Sequence, residues 1–439
     1  MKYYLITLGC QMNKNDSERI GAILDACGFE EALDETGADI IIFNTCSVRQ
    51  SAEERIYGKM VDIKKYRLVR PHLIVGVTGC MPGRDKKREF HRRMPDVDLY
   101  FPTHEMVNLP RWVSELRPEW SLSGNQVDDY LKVYPLRQPS SQAYLTIQTG
   151  CNKFCSYCVV PYARGLERNR PVKDILDEAR RLINSGVIEI TLLGQTVNSF
   201  VASDPENFSV QNPYHDHYAA LLWEMNQLSG LERLHWTAAH PNSMSDEVID
   251  ALTLPKQVNY LHLPVQSGSD EVLFRMNRKY TREKFLEIIE KVKARRPGIA
   301  LGTDIIVGFP GETNEQFEET KSLFRVCDFD ISYTAQYSPR SGTLSTKLYQ
   351  DDVSKIEKAR RWREMQNLME ETVGRKNQVY LGRDIRVLVD RFENGLAYGT
   401  TDELKFVMIE GANQISVGKI VNIKVTQAKM WQICGNLLS

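Results

Sequence analysis

The sequence Gly150-Cys-Asn-Lys-Phe-Cys-Ser-Tyr-Cys158 places three cysteines in one loop, directly after a strand-like run at 143–148. Its Cys-x3-Cys-x2-Cys spacing supplies three thiolates, whereas a 4Fe–4S cluster normally takes four. One iron of such a cluster would stay open, and an open iron can chelate the amino and carboxylate groups of S-adenosylmethionine. The loop therefore predicts a 4Fe–4S cluster on Cys151, Cys155 and Cys158 that binds S-adenosylmethionine for radical chemistry.

A zinc site is the alternative reading of this loop. Structural zinc sites use four ligands, usually as two Cys or Cys/His pairs, and no second pair follows at a suitable distance. The chain has nine cysteines, and an odd number in a long chain points to metal binding or catalysis rather than to a disulfide framework. We expect Cys27, Cys327 and Cys434 to be ordinary thiols.

Length and composition indicate the general class of protein. A chain of 439 residues predicts two to four domains. Hydrophobic residues make up 42% and charged residues 26%, which excludes a mostly disordered, collagen-like or membrane-embedded chain. No apolar run approaches the roughly 20 residues that span a bilayer, and the first ten residues do not resemble a signal peptide. We expect a cytoplasmic protein without membrane association.

Alternating strand and helix patterns predict the α/β fold class. Residues 1–118 are predicted to form an α/β domain with a parallel sheet, 119–138 a linker, 139–376 a partial (β/α)6 barrel similar to a TIM barrel, and 377–439 a small β-barrel. The strands expected in the first region are 3–8, 39–44 and 73–78. Those expected in the second are 143–148, 189–193, 234–237, 259–264, 300–307 and 331–337, and those in the third include 385–389, 405–408 and 420–425.

Each expected strand of the first region is followed by a cysteine, in Leu-Gly-Cys10, Asn-Thr-Cys46 and Thr-Gly-Cys80. The carboxyl ends of parallel strands lie at one edge of a sheet, where ligands bind. Each of these cysteines taken alone is more easily explained as a buried thiol. Their equivalent positions nevertheless predict that the three converge.

Further motifs flank both sets of cysteines. They are Leu-Gly-Cys-Gln-Met-Asn at 8–13, Asn-Thr-Cys-Ser-Val-Arg at 44–49, Tyr-Cys-Val-Val-Pro-Tyr at 157–162, Leu-Pro-Val-Gln-Ser-Gly-Ser at 263–269 and Thr-Asp-Ile-Ile-Val-Gly-Phe-Pro-Gly-Glu-Thr at 303–313. Together with the loop at 150–158, they resemble the radical S-adenosylmethionine methylthiotransferase family over essentially the whole chain. In that family Tyr157 would be the aromatic residue that precedes the last cysteine of the cluster loop.

The resemblance implies a second, auxiliary 4Fe–4S cluster on Cys10, Cys46 and Cys80, whose open iron carries the sulfur to be transferred. One S-adenosylmethionine would donate its methyl group to that sulfur. The other would be cleaved to a 5′-deoxyadenosyl radical that removes the hydrogen from carbon 2 of an adenine. The barrel at 377–439 would be the family's RNA-binding TRAM domain.

Short motifs separate the branches of this family. Gln11-Met12 and Gln266-Ser-Gly-Ser269 resemble the branch that acts on isopentenyladenosine at position 37 of tRNA, next to the anticodon. The alternatives are methylthiolation of threonylcarbamoyladenosine in tRNA or of a ribosomal protein, and a noncatalytic iron–sulfur RNA-binding protein. The intact cluster loop disfavours the last of these.

Candidate positions for the S-adenosylmethionine site lie at strand ends of the central region. They are Tyr157, Gly194, Gln195, Gln266, Ser267, Thr303 and Asp304. The carboxyl ends of barrel strands converge, so these residues could surround one bound molecule, although strand-end polar residues also cap helices. Arg164, Arg168 and Arg170 could meet tRNA phosphate or the cofactor carboxylate, or form a solvated basic loop.

The expected partner is the anticodon stem-loop of tRNA. The net charge is only −1, but from Lys59 to Arg93 eleven basic residues face three acidic ones. A solvated helix face is the alternative explanation of that stretch. From 378 to 439 seven basic residues face six acidic ones, which indicates little about RNA. We further expect a monomer and a flavodoxin-like or ferredoxin-like electron donor, and leave the sulfur donor unassigned.

Overall fold

The computed structural model describes residues 1–47, 50–120, 122, 127–135, 140–411 and 415–438. Its first region contains strands β1 (Lys2–Leu8), β2 (Glu30–Glu31), β3 (Ile40–Thr45), β4 (Ile74–Gly79) and β5 (Leu99–Tyr100), and helices α1 (Gln11–Ala26), α2 (Gln50–Val69), α3 (Cys80–Arg84) and α4 (Leu109–Leu116). The strands pair in parallel in the order β2-β1-β3-β4-β5. The parallel sheet predicted for this region is confirmed.

Strands β3 and β4 explain why this sheet forms at the centre of its domain. Every residue of both strands is buried, as expected of parallel strands covered on both faces. Ile40 and Ile42 pack into one hydrophobic core, while Ile41 and Phe43 pack into another on the opposite face. The two-residue strands β2 and β5 were not predicted, because so short a stretch carries no readable alternation.

The central region forms the predicted partial barrel. Its strands are β6 (Gln142–Thr146), β7 (Gln148–Thr149), β8 (Arg168–Asn169), β9 (Glu189–Leu193), β10 (Arg233–Trp236), β11 (Tyr260–His262), β12 (Ala300–Val307) and β13 (Ile331–Gln336). Parallel strands pair as β6-β9-β10 and β11-β12-β13, and a bridge between Leu234 and Gln257 joins the two halves. The antiparallel pair β7-β8 stands apart and leads into and out of the cysteine loop.

Helices surround these strands. They are α5 (Val160–Arg164), α6 (Val172–Asn184), α7 (His217–Gln227), α8 (Asp246–Ala251), α9 (Asp270–Arg275), α10 (Arg282–Arg295), α11 (Asn314–Cys327), α12 (Leu344–Leu348) and α13 (Lys355–Gln378). Local signals set their starts: Thr313 and Gln316 form a capping box on α11, and Ser354 caps α13. In the part of the chain that the structure describes, no helix combines the length and the apolar character needed to cross a membrane.

The last region is the predicted small β-barrel. Its strands β14 (Asp384–Glu393), β15 (Leu396–Thr401), β16 (Phe406–Glu410), β17 (Ile420–Ala428) and β18 (Ile433–Leu437) close in the order β14-β15-β16-β18-β17. Arg233 of β10 donates from Nη1 to the Thr400 carbonyl at 3.0 Å, and Lys405 pairs with Asp330 at 2.9 Å. These contacts seat the small barrel against the central one.

The predicted boundaries between domains fall partly outside the described residues, since residues 121, 123–126 and 136–138 of the expected linker and residue 139 after it lie outside them. Within the described part of that linker, Tyr130 and Leu131 are buried in a core of the first region. Helix α13 runs to Gln378 and so continues past the boundary predicted at residue 376. The boundaries stay predictions.

Candidate active site

The cysteine loop at 151–158 lies between β7 and α5 and folds back on itself. Gly150 and Phe154 both adopt left-handed backbone conformations, with φ of 77° and 49°. The Cys151 amide donates to the Gly165 carbonyl at 3.1 Å, and the Cys158 amide donates to the Cys155 carbonyl at 2.9 Å. Burial, followed by the charges of Cys155 and Cys151, raises the pKa of the Cys158 thiol to about 12. The loop thus brings its three thiols close enough for the charges of Cys155 and Cys151 to act on Cys158.

The segment after α9 anchors the loop. The Arg278 Nη1 donates to the Cys155 sulfur at 3.3 Å, and the Asn277 Nδ2 donates to the Phe154 carbonyl at 2.9 Å. The Ser156 amide donates to the Met276 carbonyl at 2.9 Å, and the Ser156 hydroxyl donates to a second backbone carbonyl, at the end of α9. Sequence reasoning missed Arg278, because no spacing marks it, yet it supplies a buried positive charge to the thiol set.

Three thiols and a neighbouring guanidinium make up the chemistry of this loop. Among the described residues, no group of three or more His, Cys, Asp or Glu side chains lies close enough to hold one metal ion. A 4Fe–4S cluster binds each thiolate at a different iron. Three thiols in one loop are consistent with such a cluster.

The three cysteines of the first region follow the neighbouring strands β1, β3 and β4. A hydrogen bond with Cys46 is the main reason that the pKa of the Cys80 thiol falls to about 6, and the Arg164 guanidinium also lowers it. Cys10 lies at the end of the adjacent strand, where its thiol contacts Asn13 Oδ1 at 3.5 Å and is exposed. The structure thus brings Cys46 and Cys80 into contact and places Cys10 at the same sheet edge.

Residues on either side of these cysteines in their motifs shape that edge. The Asn13 and Asn44 side chains bond to each other, with Asn13 Nδ2 donating to Asn44 Oδ1 at 2.8 Å. A Cβ at Gly9 would lie 2.2 Å from Asn13 Oδ1, and one at Gly79 would lie 2.3 Å from the Thr45 carbonyl oxygen. Glycine is therefore required next to Cys10 and Cys80. Val48 and Arg49 of the second motif lie outside the described residues.

Two neighbouring cavities each contain one cysteine in their lining. The first, of about 650 Å³, is lined by Cys10 from the N-terminal sheet, His235 and Asp304 from the central barrel, and Phe406 and Trp431 from the small barrel. The second, of about 830 Å³, is lined by Tyr157, Cys158 and Gln266. Asp304, Ile331, Tyr333 and Trp431 line both. This space is bordered by Cys10 in the first cavity and by Cys158 in the second, and the two cavities share these four lining residues.

Most of the expected cofactor-binding positions border this space. Gly194 lines the first cavity, and Tyr157 and Gln266 line the second, while Asp304 lines both and lies 3.3 Å from His262 Nε2. Gln195 follows β9, and its Oε1 is buried without a hydrogen-bond partner among the described residues. An unpartnered buried acceptor at this position fits a ligand that donates a hydrogen bond, such as the amino group of S-adenosylmethionine.

Ser267 and Thr303 differ from this expectation. The Thr303 hydroxyl donates to the Leu263 carbonyl at 2.9 Å and accepts from the Val265 amide at 3.0 Å, which joins β12 to the segment after β11. The Ser267 hydroxyl accepts from the Ser269 amide at 3.2 Å just before α9. Neither residue lines the two cavities. The hydroxyls of both residues are used by nearby backbone groups, and neither of them caps a helix.

Three family models match the chain. The Radical SAM superfamily model matches residues 145–324, the model of the Uncharacterized protein family UPF0004 matches 2–102, and the TRAM domain model matches 378–437. These segments hold the cysteine loop, the N-terminal cysteines and the small barrel respectively.

Curated relatives extend over nearly the full length. A tRNA-2-methylthio-N(6)-dimethylallyladenosine synthase of Clostridium botulinum (strain Okra / Type B1) is 39% identical, with 99% of this chain and 96% of the relative covered. An enzyme of the same name from Carboxydothermus hydrogenoformans is 38% identical, with 99% of this chain and 99% of the relative covered. Another from Bacillus subtilis (strain 168) is also 38% identical, with 100% of this chain and 86% of the relative covered. The chain belongs to the tRNA-2-methylthio-N(6)-dimethylallyladenosine synthase family.

Solved structures share the fold of this chain at low sequence identity. The radical S-adenosylmethionine methyltransferase TsrM from Kitasatospora setae aligns with a TM-score of 0.55 and 14% identity, over 76% of this chain and 72% of TsrM. The cobalamin-dependent radical enzyme OxsB aligns with a TM-score of 0.50 and 14% identity, over 84% of this chain and 56% of OxsB. Membership in a radical S-adenosylmethionine family implies 4Fe–4S clusters and S-adenosylmethionine as cofactors.

The arginines after the cluster loop are less available than the sequence suggested. Arg164 pairs with Asp16, and Arg170 pairs with Glu178 at 2.8 Å. The side chains of both arginines are buried. Only Arg168 is exposed, and it pairs with Asp129. Because the two buried guanidinium groups are already used within the protein, neither is available to tRNA phosphate.

The basic stretch is also partly used within the protein. Arg84 belongs to the basic stretch from Lys59 to Arg93 that was expected to contact tRNA, but its Nη2 donates to Glu53 at 2.5 Å and its Nε donates to Ser47 at 2.9 Å. That expectation was wrong, because Arg84 joins α3 to α2. Lys86, Lys87 and Arg88 are exposed. These three residues place exposed positive charge just after the end of α3.

Proposed function

We propose that this chain transfers a methylthio group to carbon 2 of the adenine in an isopentenylated adenosine at position 37 of tRNA. The observation that carries the proposal is a pair of neighbouring cavities that share four lining residues, one bordered by Cys158 and the other by Cys10. A base held at these cavities can meet the radical source and the sulfur source without leaving the protein. Methylthiolation requires both.

We assign one cluster to Cys151, Cys155 and Cys158 and the auxiliary cluster to Cys10, Cys46 and Cys80. When bound, the clusters and S-adenosylmethionine supply the radical and the methylated sulfur that the reaction consumes. The protein supplies position and charge: Arg278 donates to the Cys155 sulfur, and Gln195, which follows the cavity-lining Gly194, has a buried side-chain oxygen without a hydrogen-bond partner among the described residues. Asp304 and Gln266 border the same space and can orient the cofactor.

The walls of the first cavity fit a base that carries a prenyl group. Trp431, Met430 and Phe406 are large apolar side chains that remain partly exposed, and all three line the cavity. Aromatic faces stack on unpaired bases and pack well against apolar groups. His235 adds a neutral surface, since burial lowers its pKa to about 3. An isopentenyl group and an unstacked adenine suit this lining better than a charged threonylcarbamoyl group does.

The proposed partners follow from the same surfaces. Lys86, Lys87 and Arg88 would contact the phosphates of the anticodon stem-loop, and phosphate contacts position RNA without reading its sequence. The small barrel would contribute its cavity-facing residues to the base itself. We also propose a monomer in the cytoplasm, reduced by a flavodoxin-like or ferredoxin-like donor.

The test offers the reconstituted protein three acceptors in parallel under reducing, anaerobic conditions. They are isopentenylated tRNA, threonylcarbamoylated tRNA and the ribosomal protein, and the products are identified by mass spectrometry. We expect the methylthio product on the isopentenylated tRNA. Preference for either other acceptor would overturn the substrate assignment. Absence of 5′-deoxyadenosine with every acceptor would overturn the radical reaction.

A further inference from the structure

Arg164 joins the two cysteine sites through a buried ion pair. It is the last residue of α5, the helix that follows the cluster loop, and its side chain is only 3% exposed. Its Nη2 donates to Asp16 Oδ2 at 2.6 Å, and Asp16 lies on α1, the helix that follows Cys10. The pair therefore connects the central barrel to the N-terminal sheet at the edge that carries the cysteines.

Cys80 is the third member of this group. Besides the hydrogen bond with Cys46, the positive charge of the Arg164 guanidinium acts on the Cys80 sulfur and lowers the pKa of that thiol. Its Nη1 is buried and has no partner in the described part of the chain. A buried guanidinium N–H without an acceptor is costly, so this nitrogen favours an additional acceptor next to Cys80. Sulfur of a metal cluster bound to Cys80 would be such an acceptor.

Backbone packing keeps the guanidinium at that position. Helix α3 begins at Cys80 and packs directly on α5. The contact is so close that a Cβ at Gly83 would lie 2.0 Å from the Ala163 carbonyl oxygen. Arg164 follows Ala163, so the backbone that carries its side chain is held close to α3.

We propose that Arg164 is a positioning residue of the auxiliary cluster, holding the Cys80 sulfur and raising the reduction potential of the cluster by hydrogen bonding and positive charge. The inference rests on the assignment of that cluster to Cys10, Cys46 and Cys80 under the proposed function. Hydrogen bonds to the sulfurs and net charge are among the factors that set the potential of an iron–sulfur cluster. A fixed cation stabilises the more negative, reduced state, so its loss makes reduction harder.

The experiment measures the auxiliary cluster alone. The full-length chain with Cys151, Cys155 and Cys158 replaced by Ala is reconstituted anaerobically, and the midpoint potential is followed by electron paramagnetic resonance. In this background Arg164→Met should shift the midpoint to a more negative potential, and Arg164→Lys, which keeps the charge but loses the planar fork, should shift it less. Asp16→Asn removes a negative charge and should shift it in the positive direction.

Arg170→Met is the matched control, because Arg170 is an equally buried arginine paired with Glu178. It should leave the midpoint unchanged. If the background protein holds no iron, the cluster assignment fails and the proposal fails with it. If it holds about four irons but Arg164→Met and Asp16→Asn leave the potential unchanged, or shift it in the same direction, only the role of Arg164 is overturned. If the Arg164→Met protein takes up no iron, the Asp16→Asn variant decides: a shift to a more positive potential supports the proposal, and no shift or a negative shift overturns it.

Discussion

Replacing Trp431 by Ala should weaken the binding of prenylated RNA selectively. Trp431 is 50% exposed in the free protein and lines both cavities, so about half of its side chain remains for a substrate to cover. Full burial of a large apolar side chain is worth about 1.5–3 kcal/mol, and half of that is about 0.8–1.5 kcal/mol. Loss of this contact corresponds to a rise in Kd of about 4- to 13-fold.

The assay measures fluorescence anisotropy of anticodon stem-loop RNAs with and without the isopentenyl group, at one salt concentration. For Trp431→Ala we expect the weaker binding with the prenylated RNA and little change with the unmodified one. Phe392→Ala is the control, since Phe392 is 42% exposed on the same small barrel and lines neither cavity. Equal losses for both RNAs with Trp431→Ala, or no loss for either, would refute the role of this wall.

Three further changes test other parts of the account. Cys46→Ala should spare cleavage of S-adenosylmethionine to 5′-deoxyadenosine but abolish the methylthio product, and product formation by this variant would contradict the auxiliary site. Gly83→Ala should lower the free energy of unfolding by about 1–3 kcal/mol, because α3 must move away from α5. Gly58→Ala, in open space on α2, should instead raise the free energy of unfolding by about 0.5–1 kcal/mol. Equal effects of the two substitutions in denaturation experiments would contradict the packing of α3 on α5. Neutralising Lys86 and Lys87 should weaken tRNA binding and reduce its salt slope by about two, and an unchanged slope would exclude their phosphate contacts.

The sequence carried most of the fold because its signals are local. The runs Ile40–Thr45 and Ile74–Gly79 each begin with four residues that have no polar side chain, and each run ends directly before a cysteine. Parallel pairing then dictates that those cysteines share an edge. The order of the six barrel strands follows from the same alternation of strands and helices. These are properties of short stretches, and a single chain displays them.

The contacts that complete the candidate site could not be predicted in this way. Arg278 reaches Cys155 across 123 residues, and Arg164 reaches Asp16 across 148. Whether an arginine faces RNA or a buried carboxylate depends on such long-range packing, which is why Arg84 and Arg170 were misjudged. Trp431 enters the cavity only because Arg233 and its neighbours seat the small barrel against the central one. No sequence spacing records that docking.

Iron analysis of cysteine variants tests the central claim, that two separate cysteine sets hold two clusters around one substrate space. Anaerobic reconstitution of the unaltered chain should give about eight irons, from two four-iron clusters. Replacing Cys151, Cys155 and Cys158 together by Ala should leave about four, and so should replacing Cys10, Cys46 and Cys80. Zinc in either site, or loss of all iron when only one set is removed, would contradict the account.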